Sequence, residues 1–420
     1  MNNLIRNWSA LAREFPRTFW IIVTTTFIDR LGGSMLFPFF AFYITKRFNV
    51  GMSEVGWLFL IFSITSFIGS FMGGALTDRF GRRRMIIFSL VASSLSTAAM
   101  GLVDTLQGFY IIGIVSGLFT DVGGPAQQAI MADILPEEKR AQGFGIIRVT
   151  FNLAVVFGPI IGGLVAARSY TALFLIDAVI SLISATIVYF NVPETKPAPS
   201  AHEEPESFGQ TFVGYGRVLL DGVFVFFIFA TLLSGLVYMN MNVTLGVFLR
   251  DNYGIPESGY AYILSVNAAM VVLFQFWITR RIEKLPPMLV MAAGTLLYAI
   301  GFALYGFVGT YSMFILAMVI ITIGEMLVAP VGQALVASFA PEQMRGRYSA
   351  VFGILGWGIP FAIGPLLAGK LMDSLNPNWL WYACGIVGML SVLSYLILNR
   401  VHRPAVASPT GTPSDSPSPA

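Results

Sequence analysis

Long apolar segments separated by short polar or charged loops make up most of this chain. A bilayer core of about 30 Å is crossed by roughly 20 residues of α-helix, and twelve segments reach that length. The pattern predicts an all-α membrane protein with twelve transmembrane helices. The predicted segments are 19–45, 54–77, 85–103, 107–132, 142–167, 170–191, 221–249, 257–279, 287–308, 311–338, 346–372 and 379–399.

Lys and Arg are unequally divided between the two sides that alternate along this pattern. Eighteen lie on the side of the loop that contains Arg82, five lie on the other side, and Arg30 and Arg148 fall inside apolar segments. Cytoplasmic loops are enriched in Lys and Arg. The imbalance therefore predicts that the Arg82 side and both termini are cytoplasmic.

A polar stretch rich in Pro and Glu divides the twelve segments into two sets of six. The predicted organisation is a cytoplasmic N-terminal segment (1–18), a first bundle (19–191), a cytoplasmic linker (192–220), a second bundle (221–400) and a disordered tail (401–420). Within the linker, Phe208, Phe212, Tyr215 and Leu219 recur at spacings of four, three and four. This spacing favours an amphipathic helix on the membrane surface, or a solvated linker with chance aromatics.

Composition narrows the functional classes. Only 11% of the residues are charged and 56% are hydrophobic, whereas a soluble domain carries about 25% charge. No basic tract with interleaved aromatics is present, so no nucleic-acid partner is expected. A single cysteine, Cys384, and two histidines, His202 and His402, argue against a disulfide framework and a His/Cys metal site. No nucleophile–base constellation stands out, so the chain is not expected to be an enzyme.

The two halves repeat each other. Gly158-Pro159 followed by Gly162-Gly163 in the first half returns as Gly364-Pro365 followed by Ala368-Gly369. A second set returns 205 residues later: Pro125, Gln128, Pro136, Glu137 and Arg140 become Pro330, Gln333, Pro341, Glu342 and Arg345. Internal duplication of this kind is typical of two-bundle transporters whose site lies between the bundles.

The loop between the second and third segments carries the most specific motif. It contains Gly74, Leu76, Asp78, Arg79, Gly81, Arg82 and Arg83. This run resembles the G-x-L-x-D-R-x-G-R-R signature of the major facilitator superfamily. The resemblance implies two pseudo-symmetric six-helix bundles that rock about a central site. It also implies that Asp78 docks at the start of helix eleven, near Arg345 and Gly346, and holds the inner gate shut when the protein faces outward.

A second motif resembles the antiporter signature of the drug–proton antiporter branch. Gly145, Gly158, Pro159, Gly162 and Gly163 match it, while Ala154 replaces one glycine. Small residues also pack any pair of membrane helices closely, which is the alternative interpretation. The helix-four signature of the family is not matched, since Gly113 stands where its Arg belongs. The nearest substitute base is Arg148, with Asn152 one turn later.

Three acids in apolar segments are candidates for proton coupling, because an ionisable side chain in hydrocarbon is costly and usually functional. Asp29, Asp121 and Glu325 fall on helices one, four and ten, which by resemblance line the central cavity. Acids in such a cavity are suited to exchanging protons near neutral pH. The alternative is static pairing, in which Arg30 and Arg148 neutralise two of the acids. Asp177 is then a further partner, for Arg30.

These features together predict a proton-coupled exporter of hydrophobic or amphipathic small molecules that works by alternating access. It would need no cofactor beyond the proton gradient, and would act as a monomer in a bacterial cytoplasmic membrane. Its partners would be a small-molecule substrate, protons and the lipid bilayer. A facilitator or importer of a metabolite, sugar or lipid is the alternative, and a non-transporting sensor or scaffold is a third reading. The candidate substrate-contacting residues are Phe37, Tyr238, Met239, Asn240 and Asn152.

Overall fold

The computed structural model describes residues 14–196, 215–341, 344–374 and 376–401. Over these residues the chain is helical without strands, and twelve helices are long and apolar enough to cross a membrane, which confirms the predicted fold. Phe208, Phe212 and the tail from 402 lie outside the described residues. The spans are α1 (Arg17–Phe48), α2 (Met52–Phe80), α3 (Arg82–Leu102), α4 (Leu106–Ile134), α5 (Gln142–Ala166), α6 (Tyr170–Asn191), α7 (Gly222–Val243), α8 (Glu257–Ile282), α9 (Pro287–Leu304), α10 (Tyr311–Phe339), α11 (Gly346–Ser374) and α12 (Asn378–Val401).

Consecutive helices alternate in direction, so their ends fall on two faces of the bundle. We call the end that carries Gly81 and Glu283 the basic face, because most Lys and Arg residues belong to it. The other end, which carries Asn49 and Gly254, is the distal face. Helices α1–α6 form the first half of the protein and α7–α12 form the second half.

Four of the spans are not regular α-helices throughout. A 3-10 turn at Phe37–Phe39 interrupts α1, and α4 is divided between Leu106–Thr120 and Gly123–Ile134. Span α7 breaks after Tyr238, and α11 contains a π-helical segment over Phe352–Gly358. Irregular backbone at membrane depth is tolerated where it is buried in protein or lines a cavity. All four interruptions contribute residues to the lining of the central cavity described below.

Two helix pairs make the most extensive contacts between the halves, α2 with the last segment of α11 (Ile359–Ser374) and α5 with α8. Glycines allow the close approach in the first pair. A side chain at Gly56 would collide with the backbone of Leu366, and one at Gly369 would collide with the carbonyl of Met52. Small residues let membrane helices approach until their backbones touch. The two halves are therefore in backbone contact near the distal face.

An acid from α11 caps the first residues of α2. The carboxylate of Asp373 accepts hydrogen bonds from the backbone N–H groups of Met52 at 2.9 Å and Ser53 at 2.7 Å. The first N–H groups of a helix have no partner within the helix and attract negative charge. The residue before α2 is Gly51, which supplies no side-chain cap of its own and leaves room for the carboxylate.

Further polar contacts between the halves lie at the same face. Glu257 of α8 accepts hydrogen bonds from Tyr170 at 2.6 Å and Lys46 at 3.4 Å, both in the first half. Arg250 donates to the hydroxyl of Thr45 at 3.0 Å and to the carbonyl of Phe42. Over the described residues, α2 makes no comparably extensive contact with the part of α11 that precedes Ile359. The halves are therefore joined at the distal face and diverge toward the basic face.

The substitution Asp373→Asn is expected to open the distal face. It removes the charge that caps α2, and hydrogen bonds to charged groups contribute about 1.5–3 kcal/mol. A loss of this size shifts the equilibrium between the closed and the open distal face by about tenfold or more. Spin labels at Gln107 and Thr310, exposed positions at the distal ends of α4 and α10, would report a longer distance by pulsed electron paramagnetic resonance.

Asp104→Asn is the matched control for this measurement. Asp104 is an exposed acid at the same face, but its partner, Arg47, belongs to the same half. Its loss leaves the contacts between halves intact and should not change the distance distribution. Identical distributions for wild type and Asp373→Asn would show that the cap does not hold the distal gate.

Candidate functional site

A cavity of about 990 Å³ lies between the two halves, on the basic-face side of their contacts. Its two walls differ in chemistry. The first half contributes all of the charged side chains of the lining, together with hydroxyl and apolar side chains, and the second half contributes a mainly apolar surface. We call the first half's side the polar wall, and its polar members are Asp29, Arg30, Ser34, Ser63, Ser66, Ser93, Thr120, Asp121, Asp177 and Ser181. We call the second half's side the apolar wall, which contains Ile354, Ile359, Phe361 and Ala362. The polar members of the apolar wall are Tyr238 and Asn242.

Three aromatic rings close the distal end of this cavity. Phe37 of α1 stacks on Phe361 of α11 with ring centroids 5.6 Å apart, and Phe59 of α2 meets Phe361 edge-on at 5.6 Å. Because the rings come from both halves, they separate when the halves rock apart at this end. The cluster is therefore placed to form the floor of the cavity and part of its gate.

Two acids of the first half come together at the polar wall. Asp29 accepts a hydrogen bond from the hydroxyl of Ser181 at 3.0 Å, and Asp177 lies one turn before Ser181 on the same face of α6. The carboxylate of Asp177 lies against the backbone of α1, where a side chain at Gly32 would collide with it. Asp177 has only 6% of its surface exposed. The sequence had suggested Asp177 as a partner of Arg30, whereas the structure places it with Asp29.

The static ion pairs considered from the sequence are absent among the described residues. Neither Arg30 nor Arg148 lies within 4.0 Å of a carboxylate oxygen. The guanidinium of Arg30 instead lies over the ring of Phe151, 4.7 Å from its centroid, while Arg148 is exposed and does not line the cavity. Among the described residues, the structure therefore gives neither base a carboxylate partner at ion-pair distance.

Asp121 lies at the break in α4 and not in the middle of a continuous helix. It ends the segment Leu106–Thr120, and its carbonyl accepts a hydrogen bond from Gly124 at 3.2 Å across the turn. Gly73 of α2 packs directly on the adjacent backbone of Val122. Asp121 and Asp29 also border a second, smaller chamber of about 100 Å³ within the first half, whose other polar members include Thr25, Thr26, Ser89 and Gln127.

The acid of the second half has a different environment. Glu325 accepts hydrogen bonds from the hydroxyl of Tyr238 at 2.8 Å and from the amide of Asn267 at 2.7 Å. The same amide donates to Thr322 at 3.0 Å. Glu325 has no base within ion-pair distance among the described residues and is not itself part of the cavity lining. Tyr238 lines the cavity and connects it to Glu325.

The loop motif at the basic face is held within the first half. Gly81 has a backbone φ of +99°, which favours glycine, and Glu194 caps the start of α3 by accepting from the N–H of Arg82 at 2.7 Å. The side chain of Arg82 contacts Asp133 at 3.2 Å, and Arg83 donates to the carbonyl of Tyr189. These bonds fix the loop in place at the end of the six-helix half.

Asp78 does not occupy the docking position that the family resemblance implies. Its carboxylate is 3.5 Å from Arg82, the first residue of α3, and 77% of its side chain is exposed. Gly74 has no atom close enough to meet a side chain there, and Arg79 lies over the ring of Phe80. An exposed Asp78 that, among the described residues, contacts only its own half agrees with halves that diverge at the basic face. Docking of Asp78 at the start of α11 remains a prediction for the state in which the basic face is closed.

The glycines of the antiporter-type motif make close helix contacts. Side chains at Gly158 and Gly162 would collide with Ser34 and the carbonyl of Met35 in α1, and one at Gly163 would collide with Ala261 of α8 in the other half. Pro159 lines the cavity, although the helix continues through it from Glu137 to Ala166. Gly145 has no neighbour within 4 Å. The geometry fits the packing interpretation for three of the five positions.

Two of the five candidate substrate-contacting residues line the cavity, namely Phe37 and Tyr238. Asn240 is wrong as a contact residue, because it is buried and donates to the carbonyl of Leu236 at 2.8 Å while accepting from Thr244 at 2.8 Å. Met239 and Asn152 are not part of the lining. Sequence reasoning did not place Asn267, Asp373 or Ser181 in any site. The one available signal was that Asp177 and Ser181 are polar residues spaced by four in an apolar segment.

Comparison with known proteins decides the family. The family model of the Major Facilitator Superfamily matches residues 22–355 and 227–419, which together span nearly the whole chain. The chain belongs to the Major Facilitator Superfamily. It is a multi-pass membrane protein and a transporter of this type.

Two relatives cover almost all of the chain. A Na(+), Li(+), K(+)/H(+) antiporter of Planococcus maritimus is 27% identical over 91% of this chain and 95% of its own length. The multidrug resistance protein MdtH of Citrobacter koseri is 24% identical over 91% of this chain and 94% of its own. Among solved structures, the chain is similar to a bacterial homologue of the human lysosomal transporter Spinster in its inward-facing, unoccupied conformation. The TM-score is 0.75 at 14% identity, and the match covers 91% of this chain and 96% of that chain. The structural likeness shows the fold.

For a transporter of this superfamily, Asp78→Asn is expected to favour the arrangement seen here. Asp78 is exposed in this arrangement, so its loss should change stability by no more than about 0.5 kcal/mol. If it caps α11 when the basic face closes, its loss disfavours that state. The pair Gln107–Thr310 should then report a shift toward the shorter distance, opposite to the effect expected of Asp373→Asn.

Glu283→Gln serves as the control, since Glu283 is another exposed acid at the basic face. It lies at the end of α8, away from the loop motif, and should leave the distribution unchanged. An unchanged distribution for Asp78→Asn as well would argue that the acid has no role in closing the basic face.

Proposed function

We propose that this protein exports hydrophobic or amphipathic small molecules in exchange for protons, by alternating access of the cavity between its halves. The observation that supports this most directly is a 990 Å³ cavity bordered by Asp29, Asp121 and Asp177, none of which has a base at ion-pair distance among the described residues. A volume of this size accommodates a drug-sized molecule. The basic face is cytoplasmic in this proposal, so the arrangement with a closed distal face is the one that loads substrate from inside the cell.

The unequal walls of the cavity favour an amphipathic substrate. An apolar group fits against Ile354, Ile359 and Phe361, where burial and aromatic contact stabilise it with little directional demand. A polar or cationic group fits against the opposite wall, where Asp29, Asp121 and Asp177 outnumber the single base Arg30. A facilitator for a sugar would be expected to present hydrogen-bonding side chains from both halves, and the second half offers few.

Glu325 is the strongest candidate for a proton carrier. Its two hydrogen bonds come from neutral donors, Tyr238 and Asn267, so no fixed positive charge holds it ionised. Tyr238 stands between Glu325 and the cavity, where substrate binds in this proposal. A substrate that displaces the Tyr238 hydroxyl would change the hydrogen bonding of the carboxyl and thereby its proton affinity. That link is the coupling step that we propose.

The names of the two relatives support proton exchange and a drug-like class of substrate. One exchanges cations for protons and the other is a multidrug resistance protein. Both are under 30% identical to this chain, so they support exchange and efflux as a class and leave the substrate to experiment.

Glu325→Gln is expected to abolish proton-coupled transport while leaving the fold intact. Purified protein in liposomes, with a pH gradient and tetraphenylphosphonium or ethidium as the probe, should release protons on addition of the cation. Glu325→Gln should reduce this release to the level of protein-free liposomes. Tyr238→Phe, which removes only the hydroxyl, should reduce it partly.

Glu54→Gln is a matched control, because Glu54 accepts a similar bond from Tyr110 at 2.8 Å but lies outside the cavity lining. It should retain coupled transport. Proton release by Glu325→Gln equal to that of wild type would exclude this carboxyl as the carrier. Uptake of a probe without any response to pH would favour a facilitator.

A second candidate function is exchange of a monovalent metal cation for protons. The grouping of Asp29, Asp177 and the Ser181 hydroxyl favours it, since hard cations prefer oxygen ligands. The same liposomes decide between the two: pulses of Na⁺, Li⁺ or K⁺ should leave internal pH unchanged if the protein exports only organic substrates. Proton release on Na⁺ addition in place of the organic cation would favour this second function.

A further inference from the structure

Asp177 stands out among the buried groups to which the proposed mechanism gives no part in proton transfer. It lies on α6, whose successive turns present Asp177, Ser181 and Ser184 at spacings of four and three, that is, on one face of the helix. Ser184 is fully buried, and its hydroxyl has no hydrogen-bond partner among the described residues. This face packs against α1, which carries Asp29. A polar stripe thus runs along the contact between two membrane helices.

The position of the Asp177 carboxylate depends on a missing side chain in α1. Gly32 is one turn beyond Asp29, and any side chain there would occupy the place of a carboxylate oxygen of Asp177. The glycine lets the carboxylate approach the backbone of α1 within one turn of Asp29, which is itself bonded to Ser181 of α6. The neighbouring Gly33 has no atom within 4 Å of the corresponding position. Close approach is therefore specific to the residue facing Asp177.

Few charged groups surround the two carboxylates. Helix α1 also carries Arg30, whose guanidinium lies over the ring of Phe151 of α5. Helix α4 contributes Asp121 to the cavity wall. From α3 come the hydroxyls of Ser93, Ser94 and Thr97, of which Ser94 donates to the backbone of Ala178. No base reaches ion-pair distance of either carboxylate among the described residues.

We propose that Asp29 and Asp177 form a two-carboxylate site that binds a single exchangeable proton within the first half of the transporter. Two ionised carboxylates next to each other repel, and one proton removes most of that cost, so the pair titrates as a unit and not as two independent groups. Both residues line the central cavity, which gives the proton a route to and from water. The inference rests on the proposed proton coupling and adds Asp177 as a residue that acts through Asp29.

The pair can be tested by proton binding in the absence of substrate. Infrared difference spectroscopy of the purified protein in nanodiscs, recorded across a pH step, detects the C=O band of a protonated carboxyl. Asp29→Asn and Asp177→Asn should each remove or shift the same band, and the double variant should resemble the single ones. Separate bands that disappear independently, or an unchanged spectrum for Asp177→Asn, would overturn the proposal.

Gly32→Ala tests the geometry without altering an acid. The added methyl displaces the Asp177 carboxylate from α1, so the midpoint of the shared titration should move by about one pH unit or more, a tenfold change in proton affinity. Gly33→Ala adds the same methyl one residue away and should leave the midpoint of this substrate-free titration unchanged. Equal effects of the two variants would indicate a general disturbance of α1 and contradict a specific pair. If Asp177→Asn fails to fold, the comparison of Gly32→Ala with Gly33→Ala still decides.

The test of the Asp29–Asp177 pair can fail or succeed independently of the transport test of the proposed function. A shared titration in a protein that moves no organic cation in liposomes would support the pair and contradict export of such substrates. Coupled export that persists in Asp177→Asn, with an unchanged carboxyl band, would support the proposed function and eliminate the pair.

Discussion

The cost of placing a carboxyl group in an apolar bundle is the constraint on which the proposed mechanism depends. A carboxylate can be held ionised there by a base, or it can become neutral by taking up a proton. Asp29, Asp177 and Glu325 have no base at ion-pair distance among the described residues. Their partners are hydroxyl and amide groups, which serve either protonation state. Such partners leave the charge free to change, as a proton carrier requires.

Helices α2 and α11 carry complementary gating features at their two ends. The helices run antiparallel, so each ends at the face where the other starts. At the distal face the acid at the end of α11, Asp373, caps the start of α2. At the basic face the acid near the end of α2, Asp78, is exposed and available to the start of α11. One helix pair can thus use the same interaction, a carboxylate at a helix N-terminus, to hold either gate.

Sequence reasoning predicted the features that repeat or that cost energy in lipid. Hydropathy located all twelve spans, the loop motif identified the superfamily, and the rule against charge in hydrocarbon selected Asp29 and Glu325. It failed where the answer depends on rotation about a helix axis. Asn240 and Tyr238 are two residues apart, yet one faces neighbouring helices and the other faces the cavity.

The interruptions within α1, α4, α7 and α11 were also beyond prediction. A break at Asp121 and a π-helical segment in α11 change neither hydropathy nor length appreciably. The partner of Asp177 could not be found for a different reason. It is determined by Gly32, whose missing side chain matters only once α1 and α6 are packed together. One-dimensional patterns do not contain that information.

The location of the acids restricts how protonation can drive rocking. Asp29 and Asp177 both belong to the first half, and Glu325, Tyr238 and Asn267 all belong to the second. The polar contacts between halves that we identify lie at the distal face and involve none of these five residues. Protonation therefore breaks no bond between the halves directly. A proton can shift the equilibrium only if it binds more tightly in one state than in the other. The difference available here is the surroundings of each carboxyl. Asp29 and Asp177 border the cavity, and Glu325 is linked to it by Tyr238. Closure of the basic face removes solvent and substrate from that cavity.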